Sequence, residues 1–134
     1  MSTYGSLILA SVIEKEEKLA VNKSPIASVF LNRLNEGMRL DADISLCYGL
    51  AKPYSACTPT VIVDNLQDAN NLYNTRALAG LPPTPIGNPS LETIKALLDV
   101  KVSPYFYYLH ESNGTIHLAK TLNEHNQNKQ TYIQ

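Results

Sequence analysis

Leu7-Ile-Leu-Ala-Ser-Val-Ile-Glu-Lys-Glu-Glu17 decides how this chain folds. It is an apolar run, interrupted by the small residues Ala10 and Ser11, that stops abruptly at carboxylates. Leu7, Ala10, Ser11 and Glu14 share one helical face by the three-and-four spacing, while Leu9, Val12, Ile13 and Glu16 share another. A helix apolar on more than one side belongs in the interior. Its acidic end then delivers a carboxyl group to the edge of a core, where burial perturbs acidity and functional sites concentrate. Periodicity alone does not choose between Glu14 and Glu16, and it also allows a plainly solvated helix end.

The spacing predicts this first helix over about 4–19. Outward from it, Ser24-Pro25 reads as an N-cap with proline in the first turn of a second helix. Ile26, Val29, Phe30, Arg33 and Leu34 continue that helix, and Gly37 supplies a left-handed end. From Met38 to Leu46, apolar residues alternate with Arg39, Asp41, Asp43 and Ser45, as in a half-buried strand or a loop entering a helical turn. If extended, the segment sets Arg39, Asp41 and Asp43 on one face, with Arg39 available to neutralise a carboxylate. Thr58-Pro59 can start another helix through Val61 and Ile62, although the β-branched run also allows a strand, and Asp68–Thr75 is turn-forming.

Gly80–Pro89 holds four prolines and two glycines. Proline fixes its own φ and restricts its predecessor, so this stretch is a stiff wall with few alternatives. Asn88-Pro89 introduces a helix through Leu98. Tyr105–Leu109 and Thr115–Ala119 flank an Asn-Gly turn and form a hairpin, with Phe106, Tyr108 and His110 on one face. Thr121-Leu-Asn-Glu124 has capping-box spacing and opens a last, polar helix carrying His125 and Asn126. The fold class is α+β: a single compact domain with a central acidic-ended helix, flanking helices and a small antiparallel sheet, including the hairpin near 105–119.

Composition narrows the function. The chain has 134 residues, 44% of them hydrophobic and 17% charged, which suits one globular domain. Eleven basic residues against twelve acidic ones leave a net charge of −1, so there is no bulk attraction for nucleic acid. No apolar run reaches the length of a membrane span, and the N-terminus does not read as a signal peptide. Cys47 and Cys57 lack further zinc ligands; they are expected as two unlinked thiols, with a disulfide allowed by their spacing but not implied by it. His117 and His125 lack a third ligand, so no metal site and no cofactor are expected.

In order and spacing, several motifs resemble the YceG-like family of bacterial endolytic murein transglycosylases. They include Ala10-Ser-Val-Ile-Glu-Lys-Glu16, Ala27-Ser-Val-Phe-Leu-Asn-Arg-Leu34, Gly37-Met-Arg-Leu-Asp-Ala-Asp43, Tyr73-Asn-Thr75, Gly80-Leu-Pro-Pro83 and His125-Asn126. The resemblance implies a lyase that cuts peptidoglycan between N-acetylmuramic acid and N-acetylglucosamine, leaving a 1,6-anhydro end. One glutamic acid protonates the leaving oxygen and the muramic C6 hydroxyl attacks, so no second carboxylate is required. The expected acid is Glu14, with Glu16 in reserve. Asp43 is expected to orient substrate, with Arg39 beside it. Tyr73, Asn74 and Thr75 are expected to contact the N-acetyl sugars, with His117 and Asn126 approaching from the C-terminal side.

The chain departs from the family pattern at Asp41, Ile44 and Thr84. These positions bear on loop geometry and activity rather than on the fold. The resemblance further implies that residues 1–134 are the catalytic domain of a longer protein, without its N-terminal membrane anchor and LysM-like subdomain. That parent would be anchored in the cytoplasmic membrane with this domain on the outer side. Its partners would be glycan strands and peptidoglycan synthases. The competing class is a non-catalytic peptidoglycan-binding or structural domain that keeps the fold.

Overall fold

The computed structural model describes residues 1–133. Helix α1, Thr3–Glu16, is opened by the Ser2 hydroxyl, which accepts from the Gly5 amide at 3.0 Å. Leu9, Ala10, Val12 and Ile13 are at most 1% exposed, so the helix runs through the interior with apolar contacts on several sides. It packs against α2 (Ala20–Asn35), α3 (Asp43–Gly49) and α5 (Leu91–Leu98). Fully burying side chains such as Leu9, Ile13 and Phe30 contributes roughly 1.5–3 kcal/mol each, which is why this apolar run dictates the architecture.

The small residue Ser11 has a specific task. Its hydroxyl donates to the Ile8 carbonyl at 2.6 Å and accepts from the Ile86 amide at 3.0 Å, pinning the proline-rich wall onto α1. The wall is ordered and packed on the body as its composition predicts, with Ile86 buried.

Three helix boundaries differ from the sequence expectation. Helix α5 is capped by Ser90, whose hydroxyl accepts from the Thr93 amide, so Asn88-Pro89 precedes the helix instead of opening it. Helix α1 ends at Glu16 rather than near Leu19, because Glu17 turns extended and its carboxylate accepts from the Leu19 amide at 2.9 Å. Helix α2 begins at Ala20 rather than at Ser24-Pro25, and Pro25 lies inside it. The acceptor that Pro25 leaves without a helical donor belongs to Val21, a strongly exposed residue, so the missing bond falls on the solvated side.

The alternating segment forms no strand and leads through an irregular stretch into α3 at Asp43. Leu40 and Ala42 are buried, while Asp41 adopts a left-handed φ of 56° and Asp43 begins α3. Helix α4, Pro59–Asn65, follows a 3-10 turn and is capped by the Thr58 hydroxyl. The expectation of unlinked thiols is corrected: Cys47 and Cys57 form a disulfide, with Cα atoms 5.9 Å apart. Spacing could not reveal this, because the bridge needs the 3-10 turn to fold the chain back on α3.

Strands β1 (Tyr107–His110) and β2 (Ile116–Ala119) pair antiparallel, with Tyr107 opposite Ala119 and His110 opposite Ile116. Gly114 supplies the positive φ, 89°, that the turn needs. Helix α6, Leu122–Tyr132, starts at Thr121, whose hydroxyl accepts from the Glu124 amide, and it lies against both strands.

Candidate active site

Three successive acidic positions at the end of α1 meet three different environments. Glu14 points toward the start of α5. Its Oε1 accepts from the Ser90 amide and from the Thr93 hydroxyl, both at 2.7 Å, and Lys23 Nζ lies 3.6 Å from Oε2. The Ser90 amide, the Thr93 hydroxyl and the Lys23 charge lower its pKa to about 2 against the opposing effect of desolvation. Lys23 is 3% exposed and also binds Glu92 and Thr93, so the cluster ties α1, α2 and α5 together.

Glu16 faces the other way, into a cavity of about 370 Å³. Burial raises its pKa, the neighbouring Asp43 adds to that, and the Tyr108 hydroxyl, His110 and Arg76 oppose it. Tyr108 donates to Glu16 Oε1 at 2.7 Å. Its own hydroxyl is held well above its ordinary pKa by burial and by the Glu16 carboxylate, so it stays a donor. Glu17, 4% exposed, pairs with His110 Nε2. Strand β1 thus clasps the end of α1 with two side chains of one face, Tyr108 on Glu16 and His110 on Glu17.

The cavity holds two more carboxylates, each fixed by an arginine. Arg76 Nε donates to Asp43 at 2.8 Å, and Arg33 Nη1 lies 3.4 Å from Asp41. Arg39, expected to neutralise one of them, makes neither contact; its own carbonyl instead accepts from Arg33 at 2.9 Å. Arg33 stands 5.0 Å over the Tyr107 ring, and Tyr107 stacks on His125 at 5.2 Å. Burial, with Lys129 and Arg33 nearby, lowers the His125 pKa, so its ring is neutral at neutral pH.

Of the residues expected at the site, the structure brings Glu16 and Asp43 together in this cavity, and sets Arg39 on an adjoining one. It directs Glu14 to α5. Tyr73, Asn74 and Thr75 lie outside the cavity and shape the backbone behind it. Asn74, fully buried, donates to the carbonyls of Asn65, Leu66 and Asp68 at 3.0–3.2 Å. Thr75 bonds the amide and carbonyl of Ala42 and the Ser45 hydroxyl. Tyr73 packs on Tyr48 and bonds Thr84. His117 pairs with Glu111 and stacks on Tyr132, and Asn126 is exposed on α6. Polar and aromatic residues in a turn-rich stretch look like sugar contacts in sequence, but buried loop carbonyls also need donors, and here that need is what these residues meet.

Sequence reasoning missed Arg33, Arg76, Tyr108, His110 and His125 as cavity residues. A signal existed for two groups. Arg33 sits among the apolar positions of α2, where an arginine needs a buried acceptor, and Tyr108 and His110 share one strand face. His125 stood in the family-like pair His125-Asn126, though only its neighbour was expected at the site, and Arg76 carried no such mark.

These features define an α+β domain built round one interior helix that ends in a cavity holding a protonatable glutamate and two arginine-bound aspartates. The chain belongs to the YceG-like family, whose model matches residues 1–131. It is similar to the endolytic murein transglycosylase of Bacillus subtilis strain 168, 36% identical over 133 residues, covering 99% of this chain and 36% of that one. The protein of that name from Streptococcus pneumoniae D39 is 29% identical over 131 residues, covering 95% of this chain and 23% of its own. A crystal structure of a YceG-like protein from Listeria monocytogenes superposes with a TM-score of 0.83 at 38% identity, covering 95% of this chain and 40% of that one. The chain therefore spans well under half the length of these relatives.

Proposed function

We propose that this domain is a peptidoglycan lytic transglycosylase and that Glu16, rather than Glu14, is its general acid. The observation that carries the assignment is the opposite treatment of the two carboxyl groups. A general acid must hold a proton near neutral pH until the leaving oxygen needs it. Glu16 has its pKa raised by burial and faces the cavity. Glu14 is held at about 2 by donors from α5 and is spent on structure.

In the proposed reaction, Glu16 gives its proton to the glycosidic oxygen as the bond from muramic C1 breaks. The muramic C6 hydroxyl bonds to C1 and returns its proton to the Glu16 carboxylate. The ring is closed, the acid is restored and no water is consumed. The Asp43 side chain, held by Arg76, faces positive charge developing on the sugar, and its proximity to Glu16 adds to the rise in the Glu16 pKa. The relatives named as murein transglycosylases support this substrate class.

A second carboxyl group in the same cavity, Asp43, also favours a second reading, in which it activates water and the products are hydrolytic. Digestion of intact sacculi separates the two by mass spectrometry, since anhydro products are one water lighter. Absence of anhydro-muropeptides, with reducing-end muramic acid in their place, would overturn the transglycosylase assignment. No described helix is long and apolar enough to cross a membrane. The Cys47–Cys57 disulfide supports placing the domain outside the reducing cytoplasm, as expected for the outer face of an anchored parent that works beside peptidoglycan synthases.

A further inference from the structure

A second cavity, about 540 Å³, adjoins the first and shares Arg33, Asp41, Tyr107 and Leu122 with it, so the two make one trough. The chemistry changes along the trough. The Glu16 end is lined by carboxylates, arginine and imidazole, whereas the far end adds Met38, Ala77 and Ala79, with Leu122 common to both and Arg39 among the lining residues. Arg33 and Arg76 are committed to Asp41 and Asp43; Arg39 alone among the three arginines has no carboxylate partner among the described residues.

Resting on the assignment of Glu16 to the muramic glycosidic bond, we propose that the second cavity receives the peptide attached to the muramic lactyl group, and that Arg39 binds a carboxylate of that peptide. A muramic ring placed for protonation by Glu16 fills the polar chamber, and its substituent must leave by an open path. The adjoining chamber offers one with alkyl walls suited to methyl-bearing residues next to the ring and a guanidinium suited to an anion beyond them. A bare neighbouring sugar would instead call for hydrogen-bonding partners or a free aromatic face. The far end offers few: Asp41 is engaged by Arg33, and the face of Tyr107 is already shared by Arg33 and His125.

The test measures binding with the chain carrying Glu16→Gln, so that it does not depend on turnover. The ligands are tetrasaccharide fragments of peptidoglycan with their peptides intact, and the same fragments after amidase removes the peptides. The intact fragments are expected to bind more tightly. Arg39→Ala should weaken them roughly 5- to 10-fold, the size expected for one partly exposed charged hydrogen bond, with the loss confined to the peptide-bearing ligand. Ala79→Phe, at an exposed position, fills the far chamber and should produce the same selective loss. Equal affinity for the two fragments in the parent, or losses that fall on both alike, would overturn the subsite and make the far chamber a sugar site. Peptide-dependent binding in a protein that releases no anhydro product would sink the catalytic assignment and leave the subsite standing.

Discussion

Exchanging Glu14 and Glu16 for glutamine, one at a time, separates the structural carboxylate from the chemical one. Glutamine at position 14 can still accept from Ser90 and Thr93, but two charge-assisted bonds at 2.7 Å become neutral ones. That change is worth about 1 kcal/mol per bond. Lys23 keeps Glu92 as a partner, 3.1 Å away, and the Glu14 side chain is 30% exposed, so the total is discounted to roughly 1–2 kcal/mol. For a domain of this size that is a fall of about 4–8 °C in Tm. Turnover of sacculi should stay within a few-fold.

Glutamine at position 16 is the opposite case. It keeps an acceptor for Tyr108 and removes a buried ionisable group, so Tm should hold, while loss of the proton donor lowers turnover by about 10²–10⁴-fold. Thermal unfolding and anhydro-muropeptide release, measured on the same preparations, give both readouts. An inactive Glu14→Gln with unchanged Tm, beside an active Glu16→Gln, would refute the reasoning.

The Glu14 pKa adds a pH signature. Its folded value lies below the ordinary 4.5, so its stabilisation is complete above 4.5 and is lost as pH falls toward about 2. Glu14→Gln should flatten that part of the stability profile, as acid titration followed by circular dichroism would show. Tyr108→Phe removes a hydrogen bond that lowers the Glu16 pKa, so the basic limb of the pH–rate profile should move to higher pH; a downward move would contradict the role given to Tyr108. Asn74→Ala removes the side-chain donor shared by the half-buried carbonyls of Asn65, Leu66 and Asp68 and should cost roughly 1–3 kcal/mol in denaturant unfolding. Reducing the Cys47–Cys57 bridge releases a loop of sequence separation 10 and should lower stability by about 3 kcal/mol in the chain-entropy account, read as a reductant-dependent Tm that Cys47→Ser with Cys57→Ser abolishes.

The local chemistry of the chain determined most of its elements. An apolar run with no polar face has to be interior, Asn113-Gly114 has to turn, and the closely spaced prolines of 82–89 hold that stretch out of a regular helix or ladder. Those constraints act between neighbours in sequence, so they are legible there. The acidic end of α1 stands out in the same way, as an apolar run that stops at carboxylates. Choosing among its carboxylates was beyond periodicity, because Glu14 and Glu16 both lie on faces that continue apolar rows. Their acidities respond to groups 76 to 92 residues away: the Ser90 amide and Thr93 hydroxyl that draw Glu14 down, and the Tyr108 hydroxyl that partly offsets the desolvation raising Glu16. Distant residues also decided that Asn74 and Thr75 are buried against the backbone outside the cavity, and that Cys47 meets Cys57. Helix and turn propensities arise from each residue and its neighbours, whereas desolvation and hydrogen bonding depend on what the folded chain brings within a few ångströms, and only the tertiary structure sets that.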